Sequence, residues 1–92
     1  MMSRSVVVAN RLGLHARAAA KFVHLASRFQ SHVKVSRGSQ TMDGKSIMGI
    51  LLLAAAAGTM LTVSADGHDE RAALDALCGF IEAGFGEDTC NA

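Results

Sequence analysis

Two spacings of apolar residues follow one another along this 92-residue chain, and they constrain its fold more than any other feature. Apolar and polar residues alternate at 32–36 and at 60–65, which is typical of a strand with one buried face. Between 16 and 30 the apolar residues recur at i, i+3, i+4 and i+7, which is typical of an amphipathic helix. These helical positions are Phe22, Leu25, Ala26 and Phe29.

The predicted elements follow the order β-α-β-β-α-β-α. Strands are predicted at 5–9, 32–36, 40–42 and 60–65, and helices at 16–30, at 47–53 and after the Asp66-Gly67 turn. The core face of the last helix is expected to carry Leu74, Leu77, Cys78, Ile81 and Phe85. Strand hairpins between helices favour an α+β fold, a two-layer open-faced sandwich with helices on one face of a mainly antiparallel sheet.

The length predicts a single domain over residues 1–92. Within it we expect the core at 3–85, the extent of the family resemblance described below, and a flexible tail at 86–92. There is no room for a nucleotide-binding fold plus a substrate domain. Hydrophobic residues make up 50% of the chain, which is enough to form a core and excludes wholesale disorder.

Charge is divided unequally between the two halves of the chain. Residues 1–46 hold eight Lys or Arg and one acid, a net charge of +7, whereas residues 47–92 hold one Arg and seven acids, a net charge of −6. The overall charge of +1 predicts no nucleic-acid binding. Such a division could create a basic surface that attracts an acidic partner. On charge alone, we prefer the interpretation that the charges are solvated and that the two halves complement each other within the fold.

The cysteines and apolar runs predict the cellular compartment. Cys78 is expected in the core and Cys90 in the tail, and their spacing matches neither a disulfide framework nor a metal motif. The longest apolar run, residues 47–57, is shorter than the roughly 18 residues of a membrane helix. We therefore expect a reduced, cytoplasmic domain without membrane insertion, metal or secretory signal.

Among the four histidines, His15 differs from the rest. His24, His32 and His68 fall on polar faces or in a turn and are expected to be solvated. His15 directly precedes a helix, and a helix N-terminus binds phosphate readily through its unpaired amides. With Arg17 two residues on, its imidazole fits a phosphorylatable nucleophile. The same spacing also fits an ordinary capping or surface histidine.

Ser46 likewise has two interpretations. Its hydroxyl can cap the short helix, and a capping serine can also accept a phosphate. Six of the seven residues at 47–53 are apolar, more than one buried stripe requires. We therefore expect Ile47 and Met48 to be exposed as a small docking patch.

Two motifs give the chain a recognisable family resemblance. Gly13-Leu14-His15-Ala16-Arg17, followed by Ala18-Ala19, resembles the active-site signature of the histidine-containing phosphocarrier proteins (HPr) of the bacterial phosphotransferase system. The stretch 43–49, Asp-Gly-Lys-Ser-Ile-Met-Gly, resembles the serine-phosphorylation signature of the same family, about thirty positions later. The family usually has Pro where this chain has Ala18, so the helix should form with a looser active-site backbone.

The resemblance implies a four-stranded antiparallel sheet with three helices on one face. It implies that His15 accepts a phosphoryl group on Nδ1 from phosphorylated enzyme I, which draws on phosphoenolpyruvate, and passes it to an enzyme II A-type acceptor. The amides of Ala16 and Arg17 and the Arg17 guanidinium would stabilise the charge. Such a protein is a monomeric carrier without stand-alone turnover, and it needs no cofactor.

The resemblance also implies a regulatory site and a docking surface. Ser46 would be the target of an ATP-dependent HPr kinase/phosphorylase, whose added charge repels acidic partners. The cationic face of the first helix, beside the exposed patch, would meet partner proteins. The residues expected on this docking surface are Arg17, Lys21, His24, Arg28, Ile47 and Met48.

Two alternatives remain open from the residues. The chain could be a regulatory binding module controlled by Ser46, with His15 vestigial, and Ala18 keeps that interpretation open. It could also belong to a nitrogen-regulatory branch rather than a sugar-uptake branch, because both share the His15 motif.

Overall fold

The computed structural model describes residues 1–86 and confirms the predicted order of elements. In chain order they are β1 (Met2–Val7), α1 (Ala16–Ala26), β2 (His32–Arg37), β3 (Gln40–Asp43), α2 (Ile47–Leu52), β4 (Met60–Asp66) and α3 (Glu70–Glu82).

The four strands form one antiparallel sheet in the order β1-β4-β2-β3. The central strand β4 pairs with β1 from Met2 opposite Ala65 to Val7 opposite Met60. Its alternation places Leu61, Val63 and Ala65 on the buried face, as predicted. The sheet thus has one face for a core.

The three helices cover that buried face. Helix α1 buries Ala18, Ala19, Phe22 and Ala26. Helix α3 packs on β1 and β4, and its predicted core face is buried in full, namely Leu74, Leu77, Cys78, Ile81 and the following Phe85. The result is the predicted α+β open-faced sandwich.

Two predicted elements have wrong bounds, at three ends in all. The first strand is not 5–9 but begins at Met2 and ends at Val7. Pairing with β4 decides its bounds, and beyond Val7 the chain bonds to a loop, with Val8 N–H donating to the Thr59 carbonyl at 2.9 Å. Helix α1 stops at Ala26 instead of about Gln30.

The early end of α1 has a local and a distant cause. The Ser27 hydroxyl donates to the Val23 carbonyl at 2.8 Å, and Ser27 is the C-cap. The amides of Gln30 and Ser31 then donate to the Asp69 carboxylate at 2.9 and 3.0 Å, so the chain has already left the helix there. Asp69 is the N-cap residue of α3.

In the described part of the chain, no helix combines the length and apolar character required to cross a membrane. Within residues 1–86, no group of three or more His, Cys, Asp or Glu side chains is arranged to hold a metal ion. Cys90 lies outside the described residues, as does all of the tail predicted at 86–92 except Gly86.

Candidate functional site

The loop between β1 and α1 is held by hydrogen bonds that aim it at the start of the helix. The buried Asn10 side chain donates to the Gly13 carbonyl at 2.7 Å, and the Gly13 amide donates to the Asn10 carbonyl at 3.2 Å. The Leu14 amide donates to the Ala55 carbonyl at 2.8 Å, and the Leu14 side chain enters the core. His15 therefore follows a loop that hydrogen bonds hold at Gly13 and at Leu14.

Gly13 allows this loop to lie directly on the segment after α2. Its φ of +69° is in the left-handed region, and a Cβ here would lie 2.5 Å from the Ala55 carbonyl oxygen and 2.9 Å from Ala56 Cα. Both atoms belong to the backbone, so they cannot move aside as a flexible side chain would. Only glycine fits this approach without displacing the loop that carries His15.

His15 is the N-cap of α1, and its imidazole faces the amino end of the helix. Its backbone is extended, with φ −91° and ψ 179°, and its Nδ1 accepts a hydrogen bond from the Arg17 amide at 3.2 Å. Accepting this bond requires a lone pair on Nδ1. The half-buried ring therefore places its Nδ1 lone pair at the amino end of α1. The first amides of a helix have no hydrogen-bond partner within the helix.

Arg17 and Ala16 complete the amino end of α1. Both residues are exposed. The Arg17 guanidinium makes no hydrogen bond or ion pair that involves residues 1–86. Ala18 is fully buried, and α1 forms around it, as expected for a good helix former in place of proline.

Ser46 caps α2 as predicted. Its Oγ accepts from the Gly49 amide at 3.1 Å, and its carbonyl accepts from the Ile50 amide at 3.0 Å. The turn before it is fixed as well, because the Lys45 amide donates to the Asp43 carboxylate at 2.9 Å and the Lys45 ammonium donates to the Phe29 carbonyl at 2.7 Å. Ser46 is half-buried, with no acidic residue in the first turn of its helix.

Ile47 and Met48 are exposed as expected, at 44% and 68%. Leu52, which the sequence analysis did not single out, is 60% exposed on the same helix. Leu52 lies four and five positions beyond Met48 and Ile47, so helical spacing alone could have added it to the patch. The three residues form an apolar surface on α2.

The other residues of the predicted docking face on α1 lie next to α3. Lys21, His24 and Arg28 are exposed and line a groove of about 490 Å³ together with Phe80 of α3. Helix α1 packs against both α2 and α3. The structure thus brings Lys21, His24 and Arg28 together with α3, whereas Ile47 and Met48 belong to α2.

Asn10 is a site residue that the sequence analysis missed. It directly follows the first predicted strand and stands three positions before Gly13, which is a turn signal for Asn and Gly. The signal marks a turn, but the contact that positions the His15 loop is visible only in the structure.

A family model described as "PTS HPr component phosphorylation site" matches residues 2–83. This chain belongs to the HPr family. The HPr phosphocarrier of Cupriavidus necator is 49% identical over 87 residues, which are 95% of this chain and 98% of that protein. Proteins of the family are phosphocarriers of the phosphotransferase system, and the same general role holds for this chain.

Solved HPr structures have the same fold. A crystal structure of HPr-C-His from Thermoanaerobacter tengcongensis has a TM-score of 0.90 and 42% identity, covering 96% of this chain and 99% of that one. A structure of an HPr dimer from the same organism has a TM-score of 0.75 and 42% identity, covering 95% of this chain and 100% of that one.

Another HPr-family relative has a different name. The phosphocarrier protein NPr of Shewanella violacea is 40% identical over 86 residues, which are 94% of this chain and 94% of that protein.

Proposed function

We propose that His15 accepts a phosphoryl group on Nδ1 from phosphorylated enzyme I and passes it to an enzyme II A-type acceptor. The observation that carries this proposal is the Nδ1 lone pair, 3.2 Å from the Arg17 amide at the amino end of α1. A phosphoryl group on Nδ1 would replace that lone pair with oxygens that the amides can bind.

The transfer is a displacement at phosphorus. The Nδ1 lone pair of His15 forms the new N–P bond while the N–P bond of the donor phosphohistidine breaks and its electron pair returns to the donor imidazole. The amides of Ala16 and Arg17 and the Arg17 guanidinium stabilise the charge on the phosphoryl oxygens. The second transfer repeats these steps in the opposite sense, with His15 as the leaving group.

The proposal is tested by incubating the protein with enzyme I and phosphoenolpyruvate and measuring its mass. We expect the mass of one acid-labile phosphoryl group on the unaltered chain and none on His15→Ala. His68→Ala is the control, because His68 is an exposed histidine outside the predicted docking surface, and it should be labelled like the unaltered chain. Labelling of His15→Ala, or no labelling of the unaltered chain, would contradict the proposal.

We propose further that Ser46 is phosphorylated by an ATP-dependent HPr kinase/phosphorylase and that the added charge slows transfer to His15. Its hydroxyl lies at the start of a helix whose first turn holds no acidic residue, and a phosphate is tolerated at such a position. The charge would instead act on acidic partner surfaces that dock beside α1 and α2.

Ser46→Asp should therefore accept phosphate from enzyme I more slowly, by tenfold or more if the repulsion reaches about 1.4 kcal/mol. The rate is measured under conditions in which enzyme I docking limits transfer. Ser39→Asp is the control, because it adds the same charge at an exposed turn between β2 and β3. Equal rates for Ser46→Asp and the unaltered chain would exclude this regulation.

The alternative in which His15 is vestigial makes an opposite prediction, namely labelling of Ser46 and never of His15.

The chain could serve the sugar-uptake branch or the nitrogen-regulatory branch of the phosphotransferase system. The higher identity to an HPr protein than to an NPr protein favours sugar uptake over nitrogen regulation. Transfer rates to purified acceptors of each branch decide between them.

We expect the carrier to act as a monomeric domain in the cytoplasm, and light scattering at working concentration tests the oligomeric state.

A further inference from the structure

Arg37 is the last residue of β2, and its side chain reaches the carboxyl end of α2. The alternation of β2 places Arg37 on the same face as the buried Val33 and Val35, which is the face that the helices cover. Its Nη1 donates to the Leu53 carbonyl at 2.8 Å. The sheet thus contributes a cation to the helical layer at the point where α2 ends.

The Leu53 carbonyl needs a partner from outside α2. Leu53 is the C-cap residue, and the last carbonyls of a helix have no hydrogen-bond partner within the helix. The last turn of α2 holds no basic residue. A guanidinium donates a charge-assisted hydrogen bond to such a carbonyl, and positive charge is favourable at this end of a helix. Arg37 therefore supplies from β2 a contact that α2 does not provide.

The residues directly after Leu53 support the loop that precedes His15. Ala54 has a left-handed φ of 49°, a conformation that a residue with a Cβ keeps only where its surroundings hold it. The carbonyl of the next residue, Ala55, accepts the hydrogen bond of the Leu14 amide at 2.8 Å. Leu14 is bonded directly to His15, so a displacement of this support would move the imidazole.

We propose that Arg37 is a positioning residue for phosphoryl transfer by His15. Its hydrogen bond to the Leu53 carbonyl holds the segment 53–55, and that segment holds the loop that carries the imidazole. Arg37 acts through the backbone of this segment, and the inference rests on the proposed function. Because transfer requires the attacking nitrogen to be aligned with phosphorus, a small misplacement of the ring slows the chemical step.

Hydrogen exchange of the Leu14 amide tests the positioning without any phosphorylation. Arg37→Met keeps a long unbranched side chain but has no N–H to donate. Its Leu14 amide should exchange about three- to tenfold faster than in the unaltered chain, the size of one net intramolecular hydrogen bond. The Val63 amide of the central strand β4 is the reference, because exchange there reports global unfolding. Equal changes at Leu14 and Val63 would overturn the proposal.

The kinetics of transfer from enzyme I separate positioning from docking. Arg37→Met should lower kcat about three- to tenfold and change KM less than about twofold, because it disturbs the chemical step and not the proposed docking surface. Lys34→Met is the matched control. It removes a cation from the opposite face of the same strand, so kcat should stay as in the unaltered chain.

Two kinetic outcomes would overturn the positioning role. Equal losses of kcat in Arg37→Met and Lys34→Met would show an effect of surface charge alone. A raised KM with an unchanged kcat would place Arg37 in partner docking.

Failure of this inference is distinguishable from failure of the proposed function. If enzyme I does not phosphorylate the unaltered chain, the proposed function is contradicted and the kinetic part of the inference falls with it. The Leu14 exchange then still decides whether Arg37 holds the loop. If the unaltered chain is phosphorylated and Arg37→Met retains its full kcat, the positioning role is overturned while the carrier function stands.

Discussion

At the scale of single residues, His15 is defined by its neighbours on both sides. Gly13 brings the loop onto Ala55, and Asn10 holds the Gly13 carbonyl. The Arg17 amide then fixes the imidazole by its bond to Nδ1. The sequence predicted the helix start and the capping position of His15, because both depend on residues close along the chain.

The contacts of Asp69 could not be predicted from local sequence patterns. Its carboxylate accepts from the Gln30 amide, the Ser31 amide and the Ser31 hydroxyl, nearly forty positions away. No periodicity links these segments, so the sequence does not predict their hydrogen bonds to Asp69. The Ser31 hydroxyl, followed by the Gln30 amide, lowers the pKa of Asp69 from 3.8 to about 2.

This lowered pKa predicts how stability changes with acid. A carboxylate with a lowered folded pKa contributes stability that is present above its unfolded pKa and is lost as pH falls toward the folded value. The free energy of unfolding should therefore drop between pH 4 and about 2, and Asp69→Asn should remove this part of the drop. Urea unfolding at a series of pH values measures it.

Glu82→Gln is the control for this measurement. Glu82 is an exposed carboxylate, so its replacement should leave the acid dependence nearly unchanged. If Asp69→Asn and the unaltered chain lose stability in parallel between pH 4 and about 2, the Asp69 contacts do not contribute as described.

At the scale of elements, the order was predictable and the ends were not. Period-2 and period-3.6 patterns mark strands and helices in place, so all seven elements were found. Pairing with β4 sets the start of β1 at Met2, where the pattern of Ser3, Arg4 and Ser5 carries no alternation. Likewise, Phe29 continues the apolar spacing of α1 although the helix ends at Ala26.

The segment that follows α2 stores strain at Ala54. Its φ of 49° is in the left-handed region, which costs a residue with a Cβ about 1–2 kcal/mol. Glycine avoids that cost but gains about 0.4–1 kcal/mol of freedom in the unfolded chain. Because Ala54 is exposed and loses no packing, Ala54→Gly should raise the free energy of unfolding by about 0.5–1 kcal/mol, as measured by urea unfolding.

Ala57→Gly is the matched control, three positions later in an exposed turn without a positive φ. It should lower the free energy of unfolding by about 0.4–1 kcal/mol, since only the unfolded chain gains freedom. Destabilisation of similar size by both variants would show that Ala54 is not strained.

At the scale of the whole molecule, α1 stands between two different surfaces. On one side is α2, with Ser46 at its start and exposed Met48, and on the other is the cationic groove that α1 shares with α3. Such spatial relations follow from helix packing and were not predictable from motif spacing. Both surfaces flank α1, the helix that His15 caps.

The most direct test is to identify the phosphorylated nitrogen. The protein, labelled with ¹⁵N and phosphorylated by enzyme I and phosphoenolpyruvate, is examined by two-dimensional ¹H–¹⁵N NMR of its imidazole rings. The account predicts phosphorus coupling at Nδ1 of His15 and at no other ring nitrogen. A phosphoryl group on Nε2 of His15, or on His24, His32 or His68, would contradict the role assigned to the amino end of α1.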